Sequence, residues 1–375
     1  MIKKEYLITL LNLYYYRISR VWHEINENDF GQFSGQDFSR YLRTLIKDKR
    51  KDLPFDELEI NKAVRFTISV VQYCEENQIN IITFEDQKYP KNKLNLIPQM
   101  ERPIVLYAKG NISLLCKQGV AIIGSRETDE AYFKIGIELG KELSNNYVIN
   151  SGLALGSDTA GHEGALLGTG QTVAILANGL NTIYPATNKK LASEILAKEG
   201  LLLSEYPPYS KIQPYFFTER DRLQAALSLA TIVIETGIKS GTMITVKFTE
   251  RYGKNLLVVK PLNNGFNYND KGNSELLKKQ HVYEILYPFK FPEIENFINS
   301  KKEIIKSDEK LFSKQSTKKV IKQFVWKIEH NLFGDITYRR GLTNAVEEIP
   351  SDYKIISRSD EEIITEKEVD ETIND

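Results

Sequence analysis

Between Val120 and Pro261 short apolar runs alternate with helical patterns, and most joints between them are turns that carry glycine. Six runs recur: Val120–Ile123, Tyr147–Ile149, Thr172–Leu176, Leu201–Leu203, Thr231–Glu235 and Leu256–Val259. A strand covered on both faces reads as such an unbroken apolar stretch, because neither side meets water. Between the runs lie helical patterns over Tyr132–Asn145, Thr159–Leu167, Lys189–Lys198, Arg222–Leu229 and Thr242–Tyr252. Strand and helix in strict alternation demand right-handed crossovers, so the expected fold is α/β, a doubly wound parallel sheet.

The turns carry the polar chemistry. The first is Ile122-Ile123-Gly124-Ser125-Arg126; the second runs Ser151-Gly152-Leu153-Ala154-Leu155-Gly156-Ser157-Asp158. Glycines at the carboxyl ends of parallel strands let a phosphate approach the backbone, and helix N-termini supply N–H groups and partial positive charge. Arg126 beside such a turn offers a charge-assisted fork to phosphate; the ordinary alternative is a surface arginine paired with a carboxylate. Ser151 and Gly152 could donate to a second phosphate. Asp158 reads first as an N-cap of the following helix. His162 lies one turn further on. It has no clustered ligand partner and no nucleophile beside it, so a buried, hydrogen-bonded histidine is expected. No catalytic residue, metal site or cofactor is expected.

The 375 residues predict two or three domains. Lys plus Arg and Asp plus Glu both number 50, so the chain is neutral and any nucleic-acid groove would be local. Cys74 and Cys116 form no disulfide or metal pattern. No apolar run is long enough to span a bilayer, and no leader-like cleavage site follows the first residues. A cytoplasmic protein without membrane contact is the expectation. Residues 1–78 lack the strand–glycine rhythm and should form a helical N-terminal domain. Tyr6–Trp22 mixes aromatics with Arg17 and Arg20, and a core face plus a solvated face is preferred there over nucleic-acid contact. Lys47–Lys51 reads as a solvated basic run. The α/β domain should cover 79–285, a small C-terminal region 286–350, and a mobile acidic tail 351–375.

In these turns the chain resembles the DprA/Smf family of DNA-processing proteins. Ile123-Gly124-Ser125-Arg126 is similar to the family's V-G-S-R turn, and Ser151 to His162 to its S-G-L-A-R-G-I-D-x-x-A-H motif. Gly179-Leu180 with Tyr184-Pro185, Ser204-Glu205-Tyr206-Pro207, Phe217-x-x-Arg220-x-Arg222 and Ser240-Gly241-Thr242 follow in the family's order. Tyr89-Pro90 and Pro103 to Asn111 are similar to the segment upstream. Six motifs in register are far more specific than one glycine pattern. The chain resembles a diverged member. Leu155 stands in place of the motif's arginine, Asp221 in place of the asparagine of R-N-R, and 282–375 do not resemble the winged helix of many members.

The resemblance implies a Rossmann-like domain that binds single-stranded DNA without being an enzyme. It implies a role in DNA uptake, processing or recombination, a second copy of the chain as partner, and a RecA-type recombinase as another. The residues it implicates are Gly124, Ser125, Arg126, Ser151, Gly152, Lys189, Phe217, Arg220, Arg222, Ser240 and Gly241. For Lys189 a solvated helix start is an alternative of nearly equal weight. One of Phe216 and Phe217 should be buried while the other stacks on a base. Asp221 either pairs with a flanking arginine or hydrogen-bonds a base or ribose. The second use supports an alternative reading, a nucleotide sensor of the same superfamily in a bacterial defence system. Ile238–Thr245 loosely resembles the P-G-G-x-G-T-x-x-E turn of related nucleoside monophosphate phosphoribohydrolases, without its proline and final glutamate. Hydrolysis of an N-glycosidic bond is therefore not expected.

Overall fold

Valine, isoleucine and leucine fill both parities of the central strands, and the structure, a computed structural model, explains why. It describes residues 1–47, 56–261 and 270–300 and four strands beyond them. Four helices come first: α1 (Lys4–Leu13), α2 (Ile18–Glu27), α3 (Gly35–Lys47) and α4 (Glu57–Glu76). There follow β1 (Asn80–Thr83), α5 (Lys91–Leu94), β2 (Val105–Gly110), β3 (Gly119–Ile123), α6 (Glu130–Leu143), β4 (Val148–Ser151) and α7 (Ser157–Leu167). Next come β5 (Thr172–Leu176), α8 (Lys189–Ala197), β6 (Leu201–Ser204), α9 (Pro214–Ala226), β7 (Ala230–Val233) and α10 (Thr242–Arg251). The α/β region closes with β8 (Asn255–Val259), α11 (Lys271–Leu277), β9 (Val282–Ile285) and α12 (Phe291–Asn299). Strands β10 (Phe324–His330), β11 (Asp335–Gly341), β12 (Tyr353–Arg358) and β13 (Ile363–Lys367) come last.

The chain divides into two compact units. The first comprises Met1–Gly31 and Tyr73–Lys314 and holds a nine-stranded sheet of order β1-β2-β6-β5-β4-β3-β7-β8-β9. From β6 to β9 every neighbouring pair is parallel; β1 and β2 extend the sheet antiparallel at one edge. Val120 and Ile122 face a core shared with Leu139 of α6, Ala165 of α7 and Ile294 of α12. Ala121 and Ile123, the alternate residues, pack with Val246 of α10 and Leu276 of α11. Further along, Val173 and Ile175 pack with Leu223 and Ala226 of α9. Strands β3 to β8 are thus buried on both faces, which is what their unbroken apolar runs anticipate. The second unit, Gln32–Gln72 and Gln315–Asp375, holds α3, most of α4 and two antiparallel pairs, β10–β11 and β12–β13.

The chain winds outward from β3 through β4, β5 and β6, then returns to lay β7 on the other side of β3. In open α/β sheets a crevice forms beyond the strand ends where winding reverses. The expected strands and helices match to within two residues, with one exception. The helix expected at Arg222–Leu229 begins eight residues earlier, at Pro214. Most of residues 301–350 within the expected region 286–350, the loop 262–269 and residues 48–51 of the basic run lie outside the described residues. The acidic tail holds β12 and β13, and its remaining residues lie outside the described ones. Among the described residues no helix is long and apolar enough to cross a membrane.

Candidate nucleic-acid interface

A cleft of about 450 Å³, partly open to solvent, lies over the carboxyl ends of β3, β4 and β5. Arg126, Gly152, Ala154, Leu155, Asn178 and Tyr184 line it, and Phe217 and Arg220 from α9 form its far wall. Arg126 is exposed, and its guanidinium lies over the Phe217 ring at 5.7 Å. The edge of Tyr184 meets Phe217 at 5.7 Å between ring centroids. Arg126 makes no ion pair with a carboxylate among the described residues, so the ordinary pairing that its sequence position also allowed is absent there. A cation, a flat aromatic face and backbone at strand ends converge on one opening. That set can hold a phosphate and stack a base.

Arg220 is buried and acts as a strut. Its Nη1 donates to the carbonyls of Gly152, at 2.6 Å, and Ile175, at 2.7 Å, tying α9 to the ends of β4 and β5. Its Nε donates to Asp221 Oδ1 at 3.0 Å. Of the two uses expected for Asp221, pairing with an arginine is the one seen. Burial pushes the Asp221 carboxyl up to about 6, opposed by the Arg220 charge. Gly152 is required here, because a Cβ would overlap the Arg220 guanidinium. Gly124 is required for a parallel reason, since a Cβ would strike Ser157 at the start of α7.

The second turn is clamped from two sides. Asp158 Oδ2 accepts from the backbone N–H groups of Gly152 (3.1 Å) and Ala154 (3.2 Å). The N-cap expected of Asp158 is therefore corrected. Gly156 occupies the cap position without a side-chain bond, and Asp158 turns its carboxylate back on the loop that precedes the helix. From the other side Asn188 Nδ2 donates to Leu153 O (2.9 Å), Ala154 O (3.3 Å) and Thr159 Oγ1 (3.0 Å). His162 is buried as expected, with Nδ1 and Thr172 Oγ1 2.7 Å apart. Burial holds its ring down to about 3, so it stays neutral.

Several other expectations are also corrected. Ser151 is buried and its hydroxyl donates to Ile122 O, so it has no free donor for phosphate. The N–H of Gly152 is spent on Asp158. Arg222 faces away from the cleft: buried, it donates from Nη2 to both oxygens of Glu205, at 2.7 and 2.8 Å. The Phe217–Arg222 segment lies within helix α9. Ser240 and Gly241 follow β7, across β3 from the cleft, and the Ser240 hydroxyl is 2.5 Å from that of Thr236. Gly124 and Ser125 sit half-buried behind Arg126; the Ser125 N–H donates to Glu235 O. Lys189 is exposed at the start of α8 and does not line the cleft. Phe216 is buried and Phe217 half-buried, the division expected of the pair. Missed from sequence were Asn188, Asn178 and the apolar lining of Leu155. Only Tyr184-Pro185, already within a motif, carried a readable signal.

The sequence profile of the family described as DNA recombination-mediator protein A matches residues 80–286. The DNA processing protein DprA of Streptococcus pneumoniae is 34% identical over 182 residues, 47% of this chain and 64% of that relative. The match thus spans just under two thirds of that relative's length. The X-ray structure of DNA processing protein A from the same species aligns with a TM-score of 0.61 at 27% identity, covering 79% of this chain and 99% of that one. A structure of DNA processing protein A from Helicobacter pylori, described for its single-stranded DNA binding mode, aligns with a TM-score of 0.50 at 32% identity. It covers 60% of this chain and 96% of the other.

Proposed function

The chain belongs to the DprA/Smf family, that of DNA recombination-mediator protein A, and from this premise we propose that it binds single-stranded DNA in the cleft over β3, β4 and β5. Its role would be in DNA uptake, processing or recombination, as a binding protein and not an enzyme. A second copy of the chain and a RecA-type recombinase belong to the same proposal as partners. The observation that carries it is the cluster of Arg126 over the Phe217 ring with Tyr184 edge-on to it, at the mouth of the cleft. Stacking on an aromatic face tolerates any base, and a guanidinium beside it takes the phosphate, which is how strands are held without sequence preference. The nucleotide-sensor reading leaned on Asp221 as a carboxylate available to a ribose. That carboxylate is committed to Arg220, which favours the strand.

The test is retention of labelled oligo-dT on a filter in competition with a panel of mononucleotides. Oligo-dT should bind, and mononucleotides at equal nucleotide concentration should not displace it. Arg126→Ala should weaken oligo-dT binding roughly ten- to hundred-fold, the loss of one charge-assisted bond of ~1.5–3 kcal/mol. The melting temperature should hardly move, because Arg126 is exposed. Displacement by one nucleotide at low concentration would replace the strand reading with the sensor reading.

A further inference from the structure

Helix α1 ends at Leu13, and the chain then passes through two consecutive tyrosines in the left-handed region, Tyr15 at φ 49° and Tyr16 at φ 58°. Bulky residues rarely adopt that conformation, and a pair persists only where surroundings hold it. What holds this pair is the connection between β6 and α9. The Tyr16 ring meets Tyr206 edge-on at 5.8 Å and Phe216 edge-on at 5.7 Å. Tyr206 and Phe216 are themselves stacked at 3.7 Å. The Tyr16 hydroxyl lies 3.2 Å from Ser210 Oγ, and the Tyr215 hydroxyl donates to Tyr15 O at 2.7 Å. One strained turn thus touches both ends of the 206–216 connection and its middle. Tyr209, Ile212 and Tyr215 in that connection are exposed; Tyr209 is held besides by its N–H bond to Asn181 Oδ1 at 3.0 Å and by the edge of the Tyr73 ring at 5.0 Å, contacts that leave Phe216 to the tyrosine turn and Tyr206.

The next residue after Phe216 is Phe217, which carries the Arg126 guanidinium in the cleft. Adjacent residues on a helix point about 100° apart. Seating Phe216 in the tyrosine clasp therefore fixes the direction in which Phe217 leaves α9. We propose that Tyr16 is a positioning residue for strand binding: the N-terminal segment sets the rotation of α9's first turn and so presents Phe217 to a base. The inference rests on the strand-binding reading above.

A double-mutant cycle tests it, with oligo-dT titrated against the full chain, Tyr16→Ala, Phe217→Ala and the double variant. Phe217→Ala should weaken binding about ten-fold through the lost stack. Tyr16→Ala should weaken it about five-fold, and the double variant should be no weaker than Phe217→Ala alone, because residues acting through one another do not add. Tyr16→Phe, which keeps the ring, should bind as the unaltered chain does. If Tyr16→Ala fails to fold, Tyr215→Phe takes its place in the cycle under the same criterion, since it removes only the bond to Tyr15 O. Additive losses, or Tyr16→Ala binding normally while Phe217→Ala is impaired, would overturn the clasp and leave the strand-binding reading standing. Failure of the unaltered chain to hold oligo-dT would remove both.

Discussion

Arg220 and Arg222 are two positions apart on α9, about 200° around its axis, and so they meet different surroundings. Arg222 turns into the protein against Glu205, with Glu219 Oε2 3.4 Å from its Nε, and loss of Glu205 would strip this buried charge of its bidentate partner. Arg220 turns under the cleft, and Asp221 beside it accepts its Nε–H. Asp221 is an acid with a raised pKa, near 6. The folded chain therefore holds this proton more tightly than the unfolded chain does. The group's contribution to stability falls as pH rises from its unfolded value toward 6. For a polyanion in the cleft the sign follows directly. As pH drops through about 6 the carboxylate is neutralised, and a repulsion of ~1 kcal/mol, before screening, disappears. Oligo-dT affinity should rise a few-fold between about pH 7.5 and 5.5 at constant ionic strength, a gain worth roughly that energy. Asp221→Asn, which keeps an acceptor for Arg220, should bind at the higher pH as tightly as the unaltered chain does at the lower, with a flat profile. An equal rise in the Asn variant, read by fluorescence anisotropy, would assign the effect to another group.

At the scale of elements, the loop between β4 and α7 matters most, because its backbone lines the cleft. Asp158 holds its N–H groups and Asn188 its carbonyls, so both polarities of the loop are satisfied by side chains from helices on either side. Asn188→Ala should release the Leu153 carbonyl and leave it buried without that donor, at a cost of ~1–3 kcal/mol, while Ala154 O keeps its bond from Thr159 Oγ1. Amide exchange at Leu153–Gly156 should quicken, the melting temperature should fall by a few degrees, and oligo-dT affinity should drop about three- to ten-fold as the cleft floor loosens. Unchanged exchange in that loop would show that Asp158 suffices. Asn188 left no trace in the sequence, where an asparagine after Pro185-Ala186-Thr187 is an ordinary turn residue. Helix α9 did leave one. Pro214 occupies its first turn, where a missing N–H costs nothing, and marks the start that periodicity alone placed at Arg222.

Across the whole molecule charge is balanced, 50 against 50, and the cleft holds few cations. Leu155, exposed at its rim, adds contact area without charge. A strand bound there would neutralise two or three phosphates, so log K against log salt should slope at roughly −2 between about 50 and 200 mM. A slope steeper than about −4 would require a basic surface beyond the cleft.

The sheet was legible in the amino-acid order because burial on both faces of a strand leaves a local mark, an unbroken apolar run that helical periodicity interrupts. Arg126 was legible too, since position after a strand and a glycine turn is a local property. What the sequence could not determine was direction. Ser151, Arg222 and Ser240 belong to motifs as recognisable as that of Arg126, yet Ser151 bonds the neighbouring strand, Arg222 is sealed against Glu205, and Ser240 stands across β3. Whether a polar side chain meets solvent or a buried partner depends on residues tens of positions away. Only the packing of the strands and helices against one another decided which of these groups would face the cleft.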